Sequence, residues 1–402
     1  MAVEVRACAP DEVLGALNGI WHYFGKAVTE DDVERFRPVL PHERVHAAWV
    51  DGQIVGGAGA YLFETTVPGA RQVPTAGVMG VGVLPTHRRR GALSALMRAQ
   101  LADAHERGEP LATLYASEGG IYGRYGYGLA SLAGMIGLPK EHARLRPGIA
   151  SGTPRLLGTQ EEALELLPPT YDSVQARTTG MFTRTVDWWK TRRFYTPPWR
   201  QGAEQMRVVI EFDGRPEAYA IYRLSFGAKN LISQTELEVI EALGTTPEAL
   251  GAVWRYLLEL DWTASIRAEL LPLDQPLFLW LVEPRRMGLT VSEAVWVRLV
   301  DVAAALSARG YEADGAVVFD VRDETCPWNA GRWRLEDGAA ARTDEAADLA
   351  LDVRELGSVY LGGFTFAELH RAGLVEELKA GAVERADALF RTDTDPWCPE
   401  IF

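Results

Sequence analysis

The chain has little cysteine. Its 402 residues carry three, Cys8, Cys326 and Cys398, odd in number and far apart. That excludes a disulfide framework and the paired spacing of a zinc site, and reads as free thiols in a reducing compartment. No run reaches about 18 apolar residues, the length a spanning helix needs. The start MAVEVRACAPDEV lacks the basic and long apolar parts of an export signal. A cytoplasmic protein without a membrane partner is expected. Positive charge is also short: 41 lysines and arginines face 55 acidic residues, a net charge of −14. This argues against nucleic acid as a partner and agrees with cationic substrates.

What is present is a globular composition, 47% hydrophobic and 24% charged, in a chain long enough for two or three domains. One stretch organises the rest, Val78 to Tyr127. A strand of small and β-branched residues, Val78 to Leu84, stops at Pro85. A basic loop with Arg88, Arg89, Arg90 and Gly91 follows. Then Leu93, Leu96, Met97, Leu101 and Ala104 mark one face of a helix that Gly108 and Pro110 end. A second apolar strand, Leu111 to Ala116, runs into a Gly- and Tyr-rich turn. The first turn of a helix offers free N–H groups and the positive end of its dipole. With three guanidinium groups before it, such a turn suits a diphosphate. The spacing is neither Gly-x-x-x-x-Gly-Lys nor Gly-x-Gly-x-x-Gly. A solvated basic loop without a ligand is the plain alternative.

Around this stretch, residues 3–8 alternate as a strand and Asp11 is placed to cap a helix through Phe24. A second helix fits Glu30 to Arg37. Residues 45–50 and 53–63 read as a hairpin turning at Asp51-Gly52. A strand near Ser131 to Leu138 completes the first domain, and Gly148 to Thr153 reads as a linker. In a second unit, a helix at Glu161 to Leu167, an aromatic segment from Trp188 to Trp199 and a hairpin at Asp213-Gly214 precede strands at 219–224 and 237–242. Gly244-Thr245-Thr246-Pro247-Glu248 then stands before a helix, Ala249 to Leu260, where a phosphate loop would carry arginines. A third unit, from about Arg285, opens with a helix from Ser292 to Arg309. Strands at 316–321 and 332–335 and two late helices follow, the last of them Val383 to Phe390.

Val81-Gly82-Val83-x-Pro85-x-x-Arg88-Arg89-Arg90-Gly91 resembles the acetyl-CoA loop of GCN5-related N-acetyltransferases, with Leu93 at its last place. The string SEGGIYGRYGYG, Ser117 to Gly128, resembles the Eis (enhanced intracellular survival) branch. The resemblance implies an α/β (α+β) chain with tandem acetyltransferase folds, the first spanning 1–148 and the second, 149–285, degenerate. A sterol-carrier-protein-like domain, 286–402, follows. It further implies acetyl-CoA as co-substrate, no metal, a homohexamer, and acetyl transfer to aminoglycoside-like polycationic amines. Lysine on a protein is a rival acceptor. A non-catalytic module binding an apolar ligand is a rival of another class.

Acetyl transfer to an amine needs a base, carbonyl-facing N–H donors, an anchor for the coenzyme and a proton for the leaving thiolate. The N–H groups of Val81, Gly82 and Val83 are read as the donors, with Gly80 and Gly82 permitting a bulge. The anchor is Arg88, Arg89 and Arg90 with the N–H groups from Arg89 through Gly91, Ala92 and Leu93 to Ser94. Ser117 and Glu118, at the strand end, are read as lining the cofactor or its thioester arm. The resemblance assigns Tyr122 as general acid, with Tyr125 and Tyr127 as rivals, and the terminal carboxylate of Phe402 as base. Glu400 is a candidate for binding a substrate cation and His22 for a contact in the substrate cleft. His42-Glu43-Arg44-Val45-His46 has the letters of a zinc-protease helix, but Pro41 and the following hairpin pattern leave no helix to face both rings at one metal.

Overall fold

The computed structural model describes residues 3–196 and 203–402. The chain divides into two compact units. One gathers the chain up to Ser131, Ala294–Pro396 and Ile401–Phe402; the other holds Leu132–Glu293 with Trp397–Glu400.

The first unit begins with β1 (Glu4–Ala7), α1 (Val13–Trp21) and α2 (Glu30–Phe36). The expected Asp11 cap does not form. Pro10–Glu12 make a tight 3-10 turn, and the Glu12 carboxylate accepts the Ala9 N–H at 2.8 Å instead. Thr29 caps α2, its hydroxyl accepting the Asp32 N–H. β2 (Val45–Val50) and β3 (Gln53–Val67) form the expected hairpin, with φ of 51° at Asp51 and 77° at Gly52. Both central residues at positive φ match the twist of paired strands. Then come β4 (Arg71–Val83), α3 (Ala92–Glu106), β5 (Leu111–Tyr115), a one-turn helix α4 (Gly119–Tyr122) and β6 (Gly128–Leu129). Leu96, Met97, Leu101 and Ala104 are the buried face of α3, as their spacing requires.

Two expectations fail together. The strand at Leu132–Pro139 does not join this sheet; it pairs with Ser265–Leu271 and Thr290–Glu293 in the other unit's sheet. The place between β5 and β6 is filled by Val295–Leu299, antiparallel to both. The helix expected from Ser292 to Arg309 is therefore two strands, Thr290–Glu293 and Val295–Leu299, and a short helix, Val302–Ala308. Asp301 caps that helix through the Ala304 N–H at 2.9 Å. Val295, Val297 and Leu299 alternate with Trp296 and Arg298, and the sheet uses that period of two.

The same unit holds a five-stranded sheet in the order Ala339–Arg342, Gly331–Glu336, Ala316–Arg322, Leu349–Asp352, Val375–Glu377. Helices Val353–Tyr360, Phe366–Arg371 and Ala382–Phe390 accompany it, one more than expected. Phe319, Phe366 and Phe390 pack their rings in its core.

The second unit is a seven-stranded sheet. Its hairpin turns at Asp213-Gly214 as expected, again with both φ values positive, 49° and 75°. Strand Glu236–Gly244, helix Pro247–Glu259 and strand Ser265–Leu271 repeat the order of β4, α3 and β5, and the two strands are parallel. The helix expected at Glu161 to Leu167 runs from Gln160 to Gln175, through Pro168 and Pro169. Of the aromatic segment, Val186–Trp188 and Trp189–Arg193 are helical turns. Its end, Pro197 to Trp199, lies outside the described residues.

Candidate active site

β4 is the element on which the site is built. Gly57 of β3 pairs with Gly82 and Gly59 with Met79, so one residue of β3 faces two of β4. That is a β-bulge, and Gly80 takes the left-handed φ of 65° that it needs. Gly82 has a different task. A Cβ there would meet the Ile20 backbone at 2.5 Å, so its bare Cα lets α1 lie directly on the strand. The Tyr23 hydroxyl, just past α1, donates to the Val83 carbonyl at 2.8 Å.

β4 and β5 are parallel but pair only from Thr75↔Leu111 to Gly77↔Thr113. Both strands continue, to Val83 and Tyr115, without pairing with each other. The sheet thus opens into a V whose β4 wall is Val78 to Val83. Backbone groups on that wall are not taken up by a neighbour on the β5 side.

At the end of β4 the chain turns through Pro85–His87 into the basic loop. Arg88, Arg89 and Arg90 are all exposed, and among the described residues no carboxylate pairs with any of them. Arg89 and Gly91 adopt left-handed φ values, 61° and 85°. Nothing lies within 4 Å of where a Cβ on Gly91 would stand. The first bond of α3 runs from the Ala95 N–H to the Gly91 carbonyl at 3.0 Å, and no side chain caps the helix. The N–H groups of Ala92, Leu93 and Ser94 therefore have no partner in their own helix. Free donors, unpaired guanidinium groups and open space together form an anion cradle, and a diphosphate fits its donor set. Ser94 Oγ lies 3.1 Å from the Tyr125 hydroxyl.

The three tyrosines after β5 are separated by environment. Tyr122, the last residue of α4, is 6% exposed. Burial first, then the nearby Glu118 charge, pushes its phenol up to about 12. Tyr125 reaches α3 through Ser94. Tyr127 is fully buried, with no hydrogen-bond partner for its hydroxyl, and burial pushes its phenol higher still. Its ring stands edge-on to Tyr122, centroids 6.1 Å apart. Ser117 and Glu118 are exposed at the mouth of β5. His22 is exposed on the turn after α1.

Phe402 belongs to the same unit. Its ring sits edge-on to Phe63 of β3, 4.9 Å between centroids, and to Tyr115 of β5, 5.5 Å. Glu400 does not join it. It lies in the other unit, 6% exposed, with its carboxylate 2.8 Å from the Arg184 guanidinium and accepting the Trp188 indole N–H at 3.0 Å. An internal cation already engages the charge read from sequence as a substrate contact. The His-Glu-x-x-His segment is a 3-10 turn, His42–Arg44, running into β2. His42 Nδ1 meets the Cys8 carbonyl at 2.9 Å, and His46 is buried, so the helical spacing that gathers both rings does not arise.

The second unit shows what the equivalent junction looks like without the arginines and the open turn. Strand Glu236–Gly244 also leaves its parallel neighbour, last pairing at Val239↔Ala268. There the tail enters: the Trp397 indole donates to the Leu270 carbonyl, and Trp397 and Pro399 line a small cavity with Val239, Ile240 and Leu271. At the loop, the Thr246 hydroxyl caps the helix through the Ala249 N–H at 3.1 Å. A Cβ on Gly244 would overlap the Leu250 backbone, so the turn is closed where Gly91 is open. The sequence signal for this was the missing arginines; nothing in the sequence placed the tail in this opening.

Comparison with known proteins matches residues 4–130 to an acetyltransferase (GNAT) domain, 180–299 to another acetyltransferase (GNAT) domain, and 302–399 to a sterol carrier protein domain. A protein of Streptomyces avermitilis named an uncharacterized N-acetyltransferase is 38% identical, covering 100% of both chains. N-acetyltransferase Eis of Mycobacterium tuberculosis is 32% identical over 85% of this chain and 84% of its own. The crystal structure of Eis1 from Mycobacterium abscessus superposes with a TM-score of 0.87 at 33% identity, covering 99% of this chain and 100% of that one.

Proposed function

Because the chain belongs to the Eis family of GCN5-related N-acetyltransferases, enzymes that move an acetyl group to an amine, we propose that it acetylates aminoglycoside-like polycationic small molecules in a direct ternary complex. The GNAT fold implies acetyl-CoA as the donor. One observation carries the reading: three exposed, unpaired guanidinium groups stand before an uncapped helix start with open space over Gly91. The net charge of −14 favours a cationic acceptor.

In this reading Arg88 to Arg90 and the N–H groups from Arg89 to Ser94 hold the diphosphate. The N–H groups of Val81 and Val83 face the thioester carbonyl, where negative charge develops, while that of Gly82, like that of Leu84, is on the side turned to β3. Ser117 and Glu118 flank the thioester arm and His22 the acceptor. The Phe402 carboxylate takes a proton from the attacking amine as the C–N bond forms. Tyr122 gives its proton to sulfur as the C–S bond breaks. Solvent then reprotonates the phenolate and deprotonates the carboxyl group. A phenol pushed up to about 12 stays protonated at any working pH, as a donor must. By resemblance the enzyme works as a homo-oligomer in the cytoplasm; sedimentation would measure the former.

The test is titration calorimetry with acetyl-CoA on the wild type and on Arg88→Gln/Arg89→Gln/Arg90→Gln. Charged hydrogen bonds contribute about 1.5 kcal/mol or more each, so losing two weakens binding by roughly 100-fold. Unchanged affinity in the triple variant overturns the assignment. A screen of polyamines, aminoglycosides and lysine peptides, read by thiol release, identifies the acceptor.

A further inference from the structure

The last residue of a chain ordinarily frays. Here Ile401 is left 56% exposed, while the ring of Phe402 beyond it is drawn in. It meets Phe63 and Tyr115 at interplanar angles of 82° and 85°. Both are edge-to-face contacts, the arrangement that the ring quadrupoles favour. The two partners come from β3 and β5, the strands on either side of β4. Phe63 is itself fixed: it is 5% exposed and stacks on Tyr61 at 5.8 Å. It also lies over Gly77, where any Cβ would overlap its ring. Gly77 is the last residue of β4 to pair with β5. The rings therefore meet at the point where the V opens.

We propose that Phe63, Gly77 and Tyr115 form an aromatic socket that seats the Phe402 ring and so fixes where its carboxylate stands in the opening. They are positioning residues. A side chain of the right shape and two strands of the sheet give a chain end the order that a base requires. Phe63 carries no group that takes or gives a proton, and the Tyr115→Phe variant below separates the ring of Tyr115 from its hydroxyl. The proposal rests on reading the Phe402 carboxylate as the base.

The experiment compares four variants of the full chain, each checked for its melting temperature and for acetyl-CoA affinity by calorimetry. Tyr115→Leu removes one wall of the socket at a half-buried site, and Phe402→Leu removes the ring but keeps the carboxylate. A displacement of about 1 Å in a reacting group costs up to roughly 100-fold in rate. Both variants should lose about 10-fold or more in kcat, with KM and Kd for acetyl-CoA within about 2-fold of wild type. Tyr115→Phe, which keeps the ring, should recover most of that loss. One glycine added after Phe402 keeps the ring and moves the carboxylate about 3.8 Å along the chain, and should abolish turnover. If the glycine-extended chain is active, the base reading fails and takes the socket with it. If that chain is inactive but Tyr115→Leu and Phe402→Leu keep wild-type kcat, the socket alone is overturned.

Discussion

At Tyr122, burial sets how tightly one side chain holds its proton. The chain has 13 tyrosines, and the sequence left three of them as rivals in one short string. The structure gives each a different setting: Tyr125 is tied to Ser94, Tyr127 is enclosed, and Tyr122 is buried within reach of the Glu118 charge. Tyr122→Phe should lower kcat by roughly 10²- to 10⁴-fold, the usual worth of a general acid, while acetyl-CoA binds as before. Steady-state thiol release and calorimetry would measure both. The same residue predicts an alkaline stability effect. Its phenol ionises near 10 in the unfolded chain and only near about 12 in the folded one. The folded state therefore holds the extra proton in that window, and stability falls as pH rises through it. Denaturant melts at pH 9 to 11 should show a shallower loss for Tyr122→Phe than for wild type. Glu241 works in the opposite direction. Burial raises its carboxyl, but Arg184 and Arg193 more than offset that and hold it below the usual range. Its contribution is present at neutral pH and lost as pH falls below the ordinary carboxylate range.

Among the elements, the end of β4 and α3 were legible because their signals are local, whereas β4 starts at Arg71, ahead of the expected Val78, and pairs with β5 only in that earlier part. Pro85, the arginines and a helical stripe lie within some thirty residues, and each acts on its own backbone. The segment from Ser292 to Arg309 was not. Its apolar residues satisfy both a helical and a strand period, and the open edge of β5 selects the strand. That strand brings Arg298 into the core with no exposed surface, where Asp323 holds it at 2.5 Å. Its guanidinium lies against Gly126, where a Cβ would meet it at 2.8 Å, directly after the Tyr122 turn. Helix Val353–Tyr360 supports the same segment: a Cβ on Gly128 would overlap the Arg354 carbonyl, and one on Gly357 the Val297 carbonyl. The sterol-carrier-like domain thus underpins the turn that carries Tyr122. Arg298→Met leaves the buried Asp323 carboxylate without its cation, held only by the Thr325 and Cys326 N–H groups and the Asn329 amide, and should cost about 3 kcal/mol. Urea unfolding would read this, and a loss below 1 kcal/mol would contradict the pairing.

For the molecule as a whole, the exchange of strands matters most. The first sheet needs Val295–Leu299, which pairs along all of β5 and with β6. The second sheet needs Leu132–Pro139, from the other side of the expected linker. A fragment ending at residue 148 would keep the entire cradle and V yet expose the edge of β5. It should show no cooperative melt by circular dichroism and should aggregate, because an unpaired apolar edge templates association. A fragment that melts cooperatively would show that the first sheet closes without its distant strand.

The sequence by itself determined the parts whose causes lie within a turn or two of chain. These are the positive-φ hairpins, the stop at Pro85, the arginines before a helix start, and their absence before the second helix. Only the tertiary structure decided which strand completes each sheet, why Gly82 and Gly77 must be bare, and that Phe402 meets two rings while Glu400 meets Arg184. Those outcomes depend on partners outside the local stretch, Phe63 for Gly77, Ile20 for Gly82, and Phe63 with Tyr115 for Phe402. A single residue's identity shows that it can be buried or paired, but the partner is chosen by the packing of the folded chain.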